Sequence, residues 1–260
     1  MQLTQVNLDG LFLSFKTFYN EGLGQVDTSY LEWCQPVPSS TAIEEYPIVV
    51  INGRMREWVG PRVFNQLDGY KMTVRNRDYE DSVEVDRNNI EDDRLGFYGP
   101  MFQNMGTTAA NLWPTLAAEA LTQAGTWADG AAFFSATRKL GKATINNVVN
   151  AALDADNYEL ARRQMMAFQD ASKNPLKLVP NLLLVGPALE KTARKILEAS
   201  LVVESGAAVD NIWKGTAKLL VNADLAGNYA NDWYLMCTTR GMKPVVVQKR
   251  KDGAVITRQD

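Results

Sequence analysis

The sequence predicts an α+β fold, because stretches with the apolar spacing of helices and stretches with the two-residue period of strands occur in the same chain. Helical spacing is clearest in residues 8–19 and 101–120, and the two-residue period begins at Tyr70. A buried strand followed directly by a helix occupies residues 182–197. With 260 residues, 46% of them apolar and 22% charged, the chain can build one large domain or two modest ones.

The chain contains no histidine, which narrows the chemistry that it can perform. Ser-His-Asp and Cys-His nucleophilic arrangements and histidine-based metal sites are therefore excluded. Cys34 and Cys237 are far apart and form no CxxC pair, so neither a zinc site nor a disulfide framework is expected. The sequence also lacks a glycine-rich phosphate-binding motif. We expect no catalytic residue, no cofactor and no metal.

The overall charge is slightly negative, at −3 with a sequence pI of about 5.2. A protein that grips the phosphates of nucleic acid usually carries a basic surface, so any contact with DNA should be weak and nonspecific. The chain has no apolar run long enough to cross a membrane, and residues 1–20 lack both a basic leader and a small-residue cleavage site. Neither a membrane partner nor a signal peptide is expected.

The first amphipathic segment is an amino-terminal helix over residues 8–19, which Gly22 and Gly24 end. Two interpretations of its apolar face are about equally supported. The helix either docks on its own domain or is an arm that packs on a neighbouring subunit. The assembly contacts of such an arm would be Leu11, Phe12 and Phe15.

A β-hairpin is predicted after this helix. Residues 43–51 form a β segment interrupted at Pro47, which favours an edge position. Residues 70–74 and 83–85 share a two-residue apolar period, so they predict a hairpin with a charged tip at residues 75–81. A two-stranded hairpin with so little apolar surface needs support, and the composition favours its own domain over another chain as that support.

A long helix with an apolar stripe over residues 101–120 follows the hairpin. Pro114 lies inside it, so we expect a kink there. Asp92 and Asp93 are candidate caps for its amino end. Together with Glu91 they could instead hold Mg²⁺ or Ca²⁺, but no second set of ligands appears at motif spacing. Capping and solvated charge are therefore favoured.

The carboxy-terminal half alternates short strands and helices. A helix is predicted over residues 155–171, with Asp154 or Asp156 near its start. Residues 182–185 form a buried strand, and Pro187 suits the first position of the next helix because its missing N–H would be unpaired there anyway. Two or three further strands follow before the carboxy end.

Charge is distributed unevenly along the chain. Residues 70–95 contain eight acidic and five basic residues. Residues 240–260 contain six basic and two acidic residues, a net charge of +4. Opposite charges in separate segments would suit contacts between copies that depend on salt.

Four stretches of the chain carry a family resemblance. They are YKMTVRNRDYEDSVEVDRNNIEDDRLGFYG (70–99), DGAAFFS (129–135), LVPNLLLVGPALEKTARKIL (178–197) and DNIWKGTAKLLVNADLAGNYANDWYL (210–235). In their order and spacing they resemble the Mu-like major head subunit family of phages. The resemblance covers most of the chain from about residue 22 onward.

This resemblance implies a Hong Kong 97-type α+β capsid fold, with an amino-terminal arm, an extended β-hairpin loop, a peripheral domain with a long spine helix, and an axial domain. The extended loop would lie over a neighbouring subunit, which supplies the support that the predicted hairpin needs. The implied assembly contacts of this loop are Arg75, Arg77, Asp78, Glu80 and Asp81. The implied boundaries are 1–42 for the arm, 43–128 for the peripheral domain with the loop at 70–87 and the spine helix at 97–124, 129–225 for the axial domain, and 226–260 for the return to the peripheral domain.

The resemblance also implies a function, the self-assembly of copies into hexamers and pentamers of an icosahedral shell around double-stranded DNA. The expected partners are other copies, scaffold, protease and portal proteins during assembly, and packaged DNA that is held nonspecifically. The expected location is the virion capsid, with assembly in the host cytoplasm. Two other functions stay open: a soluble histidine-free enzyme that uses carboxylate or lysine chemistry, and a shell of the same fold that encloses proteins.

The chain departs from the family pattern at two places. Members often have a histidine shortly after FFS, where this chain has Ala136, Thr137 and Arg138, so nothing is inferred from that histidine. Members usually continue well past a stretch like KPVVVQKR (243–250), so we expect this chain to be a truncated form with an incomplete peripheral domain, a shorter relative or a degenerate prophage copy.

Overall fold

The structure is a computed structural model that describes residues 5–51, 57, 60, 67–86, 89, 96–140, 142–204 and 206–251. Helices and strands are mixed along the chain, which confirms the predicted α+β class. The helices are α1 (Gln5–Leu23), α2 (Tyr98–Thr122), α3 (Ala155–Met166) and α4 (Glu190–Leu197). The strands are β1 (Cys34–Pro38), β2 (Ile43–Ile51), β3 (Leu67–Arg75), β4 (Arg138–Leu140), β5 (Ala143–Ile145), β6 (Leu182–Val185), β7 (Leu201–Glu204), β8 (Ala207–Asp210), β9 (Lys218–Val221), β10 (Trp233–Met236) and β11 (Val245–Lys249).

The centre of the fold is a three-stranded sheet in the order β10-β6-β9. β6 lies in the middle, parallel to β9 and antiparallel to β10. Its sequence, Leu-Leu-Leu-Val, is apolar at every position, and all of its residues are buried. The strand is therefore covered on both faces, as the sequence predicts for residues 182–185.

Successive residues of β6 point to opposite faces of the sheet and divide the core into two clusters. Leu182 and Leu184 lie in a first cluster with α2, β1 and β11, and Leu183 and Val185 lie in a second cluster with α3 and α4. Burying each large side chain stabilises the fold by roughly 1.5–3 kcal/mol relative to exposure. The first cluster comprises Trp33, Cys34, Ala117, Leu121, Leu182, Leu184, Leu225, Met236 and Val247, and the second comprises Leu153, Tyr158, Leu183, Val185, Ala193, Ile196 and Leu197.

Early and late segments of the chain meet in a parallel pair of strands. β1 pairs with β11 along its whole length. Trp33 and Cys34, at the start of β1, are fully buried in the first cluster. Residues 34–38 fall within the range 1–42 that the resemblance assigns to the arm, and here they form a strand that covers the central core.

The turn between β6 and α4 needs a residue without a Cβ. A Cβ on Gly186 would lie 1.9 Å from the carbonyl oxygen of Leu225, so any larger residue would force the two segments apart. Pro187 begins the short 3₁₀ turn that leads into α4, as predicted. The strand, the turn and the helix thus follow in the predicted order.

The helix after residue 154 is correctly predicted at its start and too long at its end. Asp154 is the cap of α3, since its Oδ1 accepts the backbone N–H of Asn157 at 2.7 Å. The helix ends at Met166 and not at Ala171. The reason is that residues 168–176 turn back on themselves in a small hairpin, which the pairing of Gln169 with Pro175 closes.

The predicted hairpin is correct in its first strand and wrong in its second. β3 contains residues 70–74, but it pairs antiparallel with β2 and not with residues 83–85. Residues 76–86 form no strand. β2 also runs without interruption through Pro47. The long ladder between β2 and β3, rich in β-branched and aromatic residues, is more stable than a short pairing with a highly charged stretch.

α2 begins at Tyr98 and has no acidic cap. Phe97 is its cap residue, and no side chain accepts a hydrogen bond there. The acidic cluster 91–93, considered as a cap or as a metal site, lies outside the described residues. Because α2 begins at Tyr98, that cluster is too far along the chain to cap it, and the capping prediction is wrong. Pro114 lies inside α2, and a kink at that residue stays a prediction.

α1 packs along α2 in close contact. Phe15 stacks on Phe102 with ring centroids 4.3 Å apart and is only 6% exposed. A Cβ on Gly22 or on Gly106 would lie 2.0 Å from a carbonyl oxygen of the other helix, so these glycines let the two backbones touch. Of the two interpretations of the terminal helix, the structure shows docking on its own chain.

Replacing Gly106 with alanine should push α1 away from α2, because the new methyl group would overlap the carbonyl oxygen of Tyr19. We expect the free energy of unfolding to fall by roughly 1–3 kcal/mol and amide exchange in α1 to accelerate. Gly10→Ala is the matched control, since nothing lies within 4 Å of a Cβ at that position of α1. It should stabilise the chain by roughly 0.5–1 kcal/mol through helix propensity. Denaturant unfolding measures both changes, and equal stability of the two variants would contradict the close backbone contact.

Cys34 should be inert to thiol reagents in the folded chain. Burial raises the pKa of its thiol to about 12, and the charge of Lys243 opposes this shift only in part. Because the thiolate is the reactive form, iodoacetamide at neutral pH should label the partly exposed Cys237 and leave Cys34 unmodified until denaturant is added. Mass spectrometry of the labelled chain measures this. The control Cys237→Ser should take no label before unfolding, and rapid native labelling of Cys34 would show that the first cluster opens.

Candidate assembly surfaces

Among the described residues, no group of three or more Cys, Asp or Glu side chains is placed to hold a metal ion. The thiol of Cys34 and the hydroxyl of Tyr234 have pKa values raised to about 12, mainly by burial. Both groups are therefore protonated at neutral pH and are poor nucleophiles. In the described part of the chain, no helix is long and apolar enough to span a membrane.

The three predicted arm contacts differ in how far they are exposed. Phe15 is buried against α2, whereas Leu11 and Phe12 are half-buried. Leu13 in α1 and Phe97 at the start of α2 are 68% and 69% exposed. Sequence analysis missed both, because neither belongs to an apolar helical stripe. A contact between the arm and a neighbouring subunit stays a prediction, and Leu13 is the most exposed apolar residue among the described side chains of α1.

The charged residues predicted to contact a neighbour all lie on the surface. They occupy the end of β3 and the irregular segment 76–86 that follows it. This segment passes near α1, where burial and then the charge of Asp81 raise the pKa of Tyr19. The predicted contacts are Arg75, Arg77, Asp78, Glu80 and Asp81, and each is exposed.

A polar network, here called the base network, joins the base of the β2–β3 ribbon to the β1–β11 pair. The Nδ2 group of Asn76 donates to Ser39 Oγ at 2.8 Å and to the carbonyl of Thr41 at 2.6 Å. The Oδ1 of Asn76 accepts from Gln248 Nε2 at 2.6 Å. Gln248 Oε1 in turn accepts from the hydroxyl of Tyr46 at 2.7 Å. The base of the ribbon is thus joined both to the turn that follows β1 and to β11.

Glu44 fixes the turn that carries two members of this network. Its Oε1 accepts the backbone N–H groups of Thr41 and Ser40, at 3.2 and 3.0 Å, and the hydroxyl of Ser39 at 3.0 Å. These hydrogen bonds, the one from Thr41 foremost, hold the pKa of the Glu44 carboxyl below its ordinary value. Sequence analysis found none of the base network, since its members are ordinary polar residues and Tyr46 and Gln248 are separated by 202 positions.

Removing the centre of the base network should loosen the ribbon and leave the core intact. Asn76→Ala removes the hydrogen bonds from Asn76 to Ser39 and Thr41 and the one from Gln248 to Asn76, so we expect a loss of roughly 1–3 kcal/mol and faster amide exchange in β2 and β3. The exposed Asn231 offers the control Asn231→Ala, which should change stability by less than about 0.5 kcal/mol. Hydrogen-exchange mass spectrometry compares the ribbon with β6 in each variant. Unchanged exchange in β2 and β3 would show that other contacts hold the ribbon.

Comparison with known proteins agrees with the resemblance seen in the sequence. Residues 8–151 and 140–225 match the family described as Mu-like prophage major head subunit gpT. The major capsid protein of Escherichia phage Mu is 32% identical over 110 residues, which are 42% of this chain and 36% of that protein. The Mu-like prophage FluMu major head subunit of Haemophilus influenzae is 29% identical over 133 residues, which are 50% of this chain and 43% of that protein. The chain thus spans less than half the length of these two relatives.

The folded chain is similar to a solved phage capsid. The capsid of bacteriophage JBD30 matches with a TM-score of 0.67 at 20% identity, and the match covers 87% of this chain and 100% of that one. This likeness confirms the predicted capsid fold. Because the family match also extends over residues 8–225, the chain belongs to the Mu-like prophage major head subunit gpT family.

Proposed function

We propose that this chain is the major capsid protein of a tailed phage or prophage, a structural subunit that acts by self-assembly and not by catalysis. Copies would form hexamers and pentamers that close into an icosahedral shell around double-stranded DNA. The observation that carries this proposal is the family match over residues 8–225. The likeness of the fold to the JBD30 capsid supports it.

A shell subunit needs a rigid body and surfaces that repeat from copy to copy. The two clusters around β6 supply the rigid body. The terminal helix, the β2–β3 ribbon and the charged segment 76–86 supply candidate contact surfaces. Many weak contacts repeated over a closed lattice give a stable container, although each contact is weak by itself.

The extended loop would be larger than the predicted range 70–87. Two long antiparallel strands, joined through residues 52–66, have the form expected of such a loop, and the base network fixes where they leave the body. On this proposal β2 and β3 belong to the loop together with the predicted range 70–87. The arm at 1–42, the axial domain at 129–225 and the peripheral return at 226–260 are proposals of the same standing.

The proposed partners are first of all other copies of this chain. Scaffold, protease and portal proteins would bind during assembly, and packaged DNA would be held only nonspecifically because the net charge of the chain is −3. The proposed location is the virion capsid, with assembly in the host cytoplasm.

Light scattering after size exclusion, with negative-stain microscopy of the peak, tests the proposed function. A single chain has a mass of 28.9 kDa, so rings, sheets or shells many times heavier are expected. An enzyme using carboxylate or lysine chemistry predicts instead a small oligomer of fixed size, and that result would contradict the proposal. Nucleic acid recovered from shells made in a host would separate a genome container from a shell that encloses proteins.

A further inference from the structure

Five exposed basic residues lie outside the contacts described so far, in three segments that meet at the small hairpin of residues 168–177. The N–H of Lys142 donates to the carbonyl of Ala171 at 3.0 Å. The Nη2 of Arg240 donates to two successive carbonyls at the end of the hairpin, both at 2.8 Å. This basic surface comprises Lys139, Lys142, Lys173, Lys177 and Arg240, each of them exposed.

Neighbouring carboxylates do not cancel the positive charge of the basic surface. Among the described residues, no acid forms an ion pair with any of the five side chains. The hairpin does contain Asp170, but this residue is buried and both of its oxygens are used locally. Its Oδ1 accepts the N–H groups of Ser172 and Asn174, at 2.9 and 2.8 Å, and its Oδ2 accepts the Asn174 side chain at 3.0 Å. With Asp170 included, the surface keeps a net charge of +4.

Two of the five lysines lie in strained backbone. Lys173 and Lys177 have φ angles of 67° and 52°, in the left-handed region that glycine adopts without cost. A side chain there costs stability, and glycine or asparagine would be the favourable choice. The fold of the hairpin therefore does not explain lysine at these two positions, and we infer that their positive charge serves binding.

A segment of opposite charge exists elsewhere in the same chain. Residues 76–86, here called the acidic strap, carry five acidic residues and Arg77, a net charge of −4. The strap has no regular secondary structure, and Asp78, Glu80 and Glu84 are exposed. Its charge is equal and opposite to that of the basic surface.

We propose that the acidic strap of one copy binds the basic surface of a second copy. This inference rests on the proposed function, since it names one contact between copies in the shell. Several exposed charge pairs would fix the register of neighbouring subunits, and the contact would weaken as salt is added.

Two alternatives to a second copy are less well supported. Binding within one chain would join the strap to its own basic surface, but the strap lies beside α1 and no described ion pair links the two segments. Duplex DNA also carries negative charge, but the chain as a whole is acidic, at −3.

Charge exchange tests the contact. One variant carries Lys173→Glu with Lys177→Glu, and a second carries Asp78→Lys with Glu80→Lys. Each alone should weaken self-association of the full chain at low salt at least about ten-fold, because one side of the contact then has no net charge. Mixing the two variants should restore association, because the unchanged strap of the first variant then meets the unchanged basic surface of the second. Sedimentation velocity measures association, and Lys191→Glu with Lys195→Glu is the control of equal charge change at exposed positions of α4.

Thermal melts establish that each variant is folded, and the milder pair Lys173→Gln with Lys177→Gln should give a smaller loss in the same direction. Association that is unchanged by both reversals, or lost equally in the Lys191 and Lys195 control, would overturn the proposed contact. Loss that mixing does not restore would place the contact within one chain. A duplex DNA probe that binds wild type and not the Lys173 and Lys177 variant, with self-association unaffected, would assign the surface to DNA. Shells formed equally by every variant would contradict the strap contact alone, whereas a wild-type chain that stays monomeric would contradict the proposed function as well.

Discussion

The structure depends on one short strand that is covered on both faces. β6 has apolar residues at every position, so neither face can be left in contact with water without a large loss of hydrophobic stabilisation. One face is covered by α2 with β1 and β11, and the other by α3 and α4. Elements from both ends of the chain are thus drawn to the same few residues. Candidate contact surfaces are positioned by these covering elements, since α1 packs on α2 and the small hairpin follows α3.

The covering elements also limit what the surfaces can do. α1 is held to α2 by backbone contact at Gly22 and Gly106, so its apolar stripe is largely used within the chain. The ribbon is held differently, through the directional hydrogen bonds of Asn76 and Gln248. Tight apolar packing allows one separation of two helices, whereas a polar network exposed at its edges can exchange partners with water. The terminal helix is therefore fixed to the body, and the direction of the ribbon is the more adjustable of the two.

Sequence analysis predicted well wherever a few neighbouring residues determine the conformation. The strand 182–185, the turn at Gly186 and Pro187, and the cap at Asp154 all rest on local rules, and the structure confirms them. The hairpin prediction failed because it concerns pairing at a distance. Nothing near residues 70–74 indicates that their partner strand comes before them and not after them, and the base network joins residues that no spacing rule connects. The basic surface was missed for the same reason, since its five residues come from three separate stretches of the chain.

The parallel pairing of β1 with β11 has a consequence for the order of folding. A ribosome delivers the chain from its amino end, so β1 emerges long before its partner, and more than two hundred residues must follow before the pair can close. Contacts so distant in sequence form late and slowly. Gln248 of β11 also anchors the ribbon, so the ribbon gains this attachment only after β11 has been synthesised. A chain interrupted before β11 would lack both features, so the strand pair and the base network form only after translation has passed residue 249.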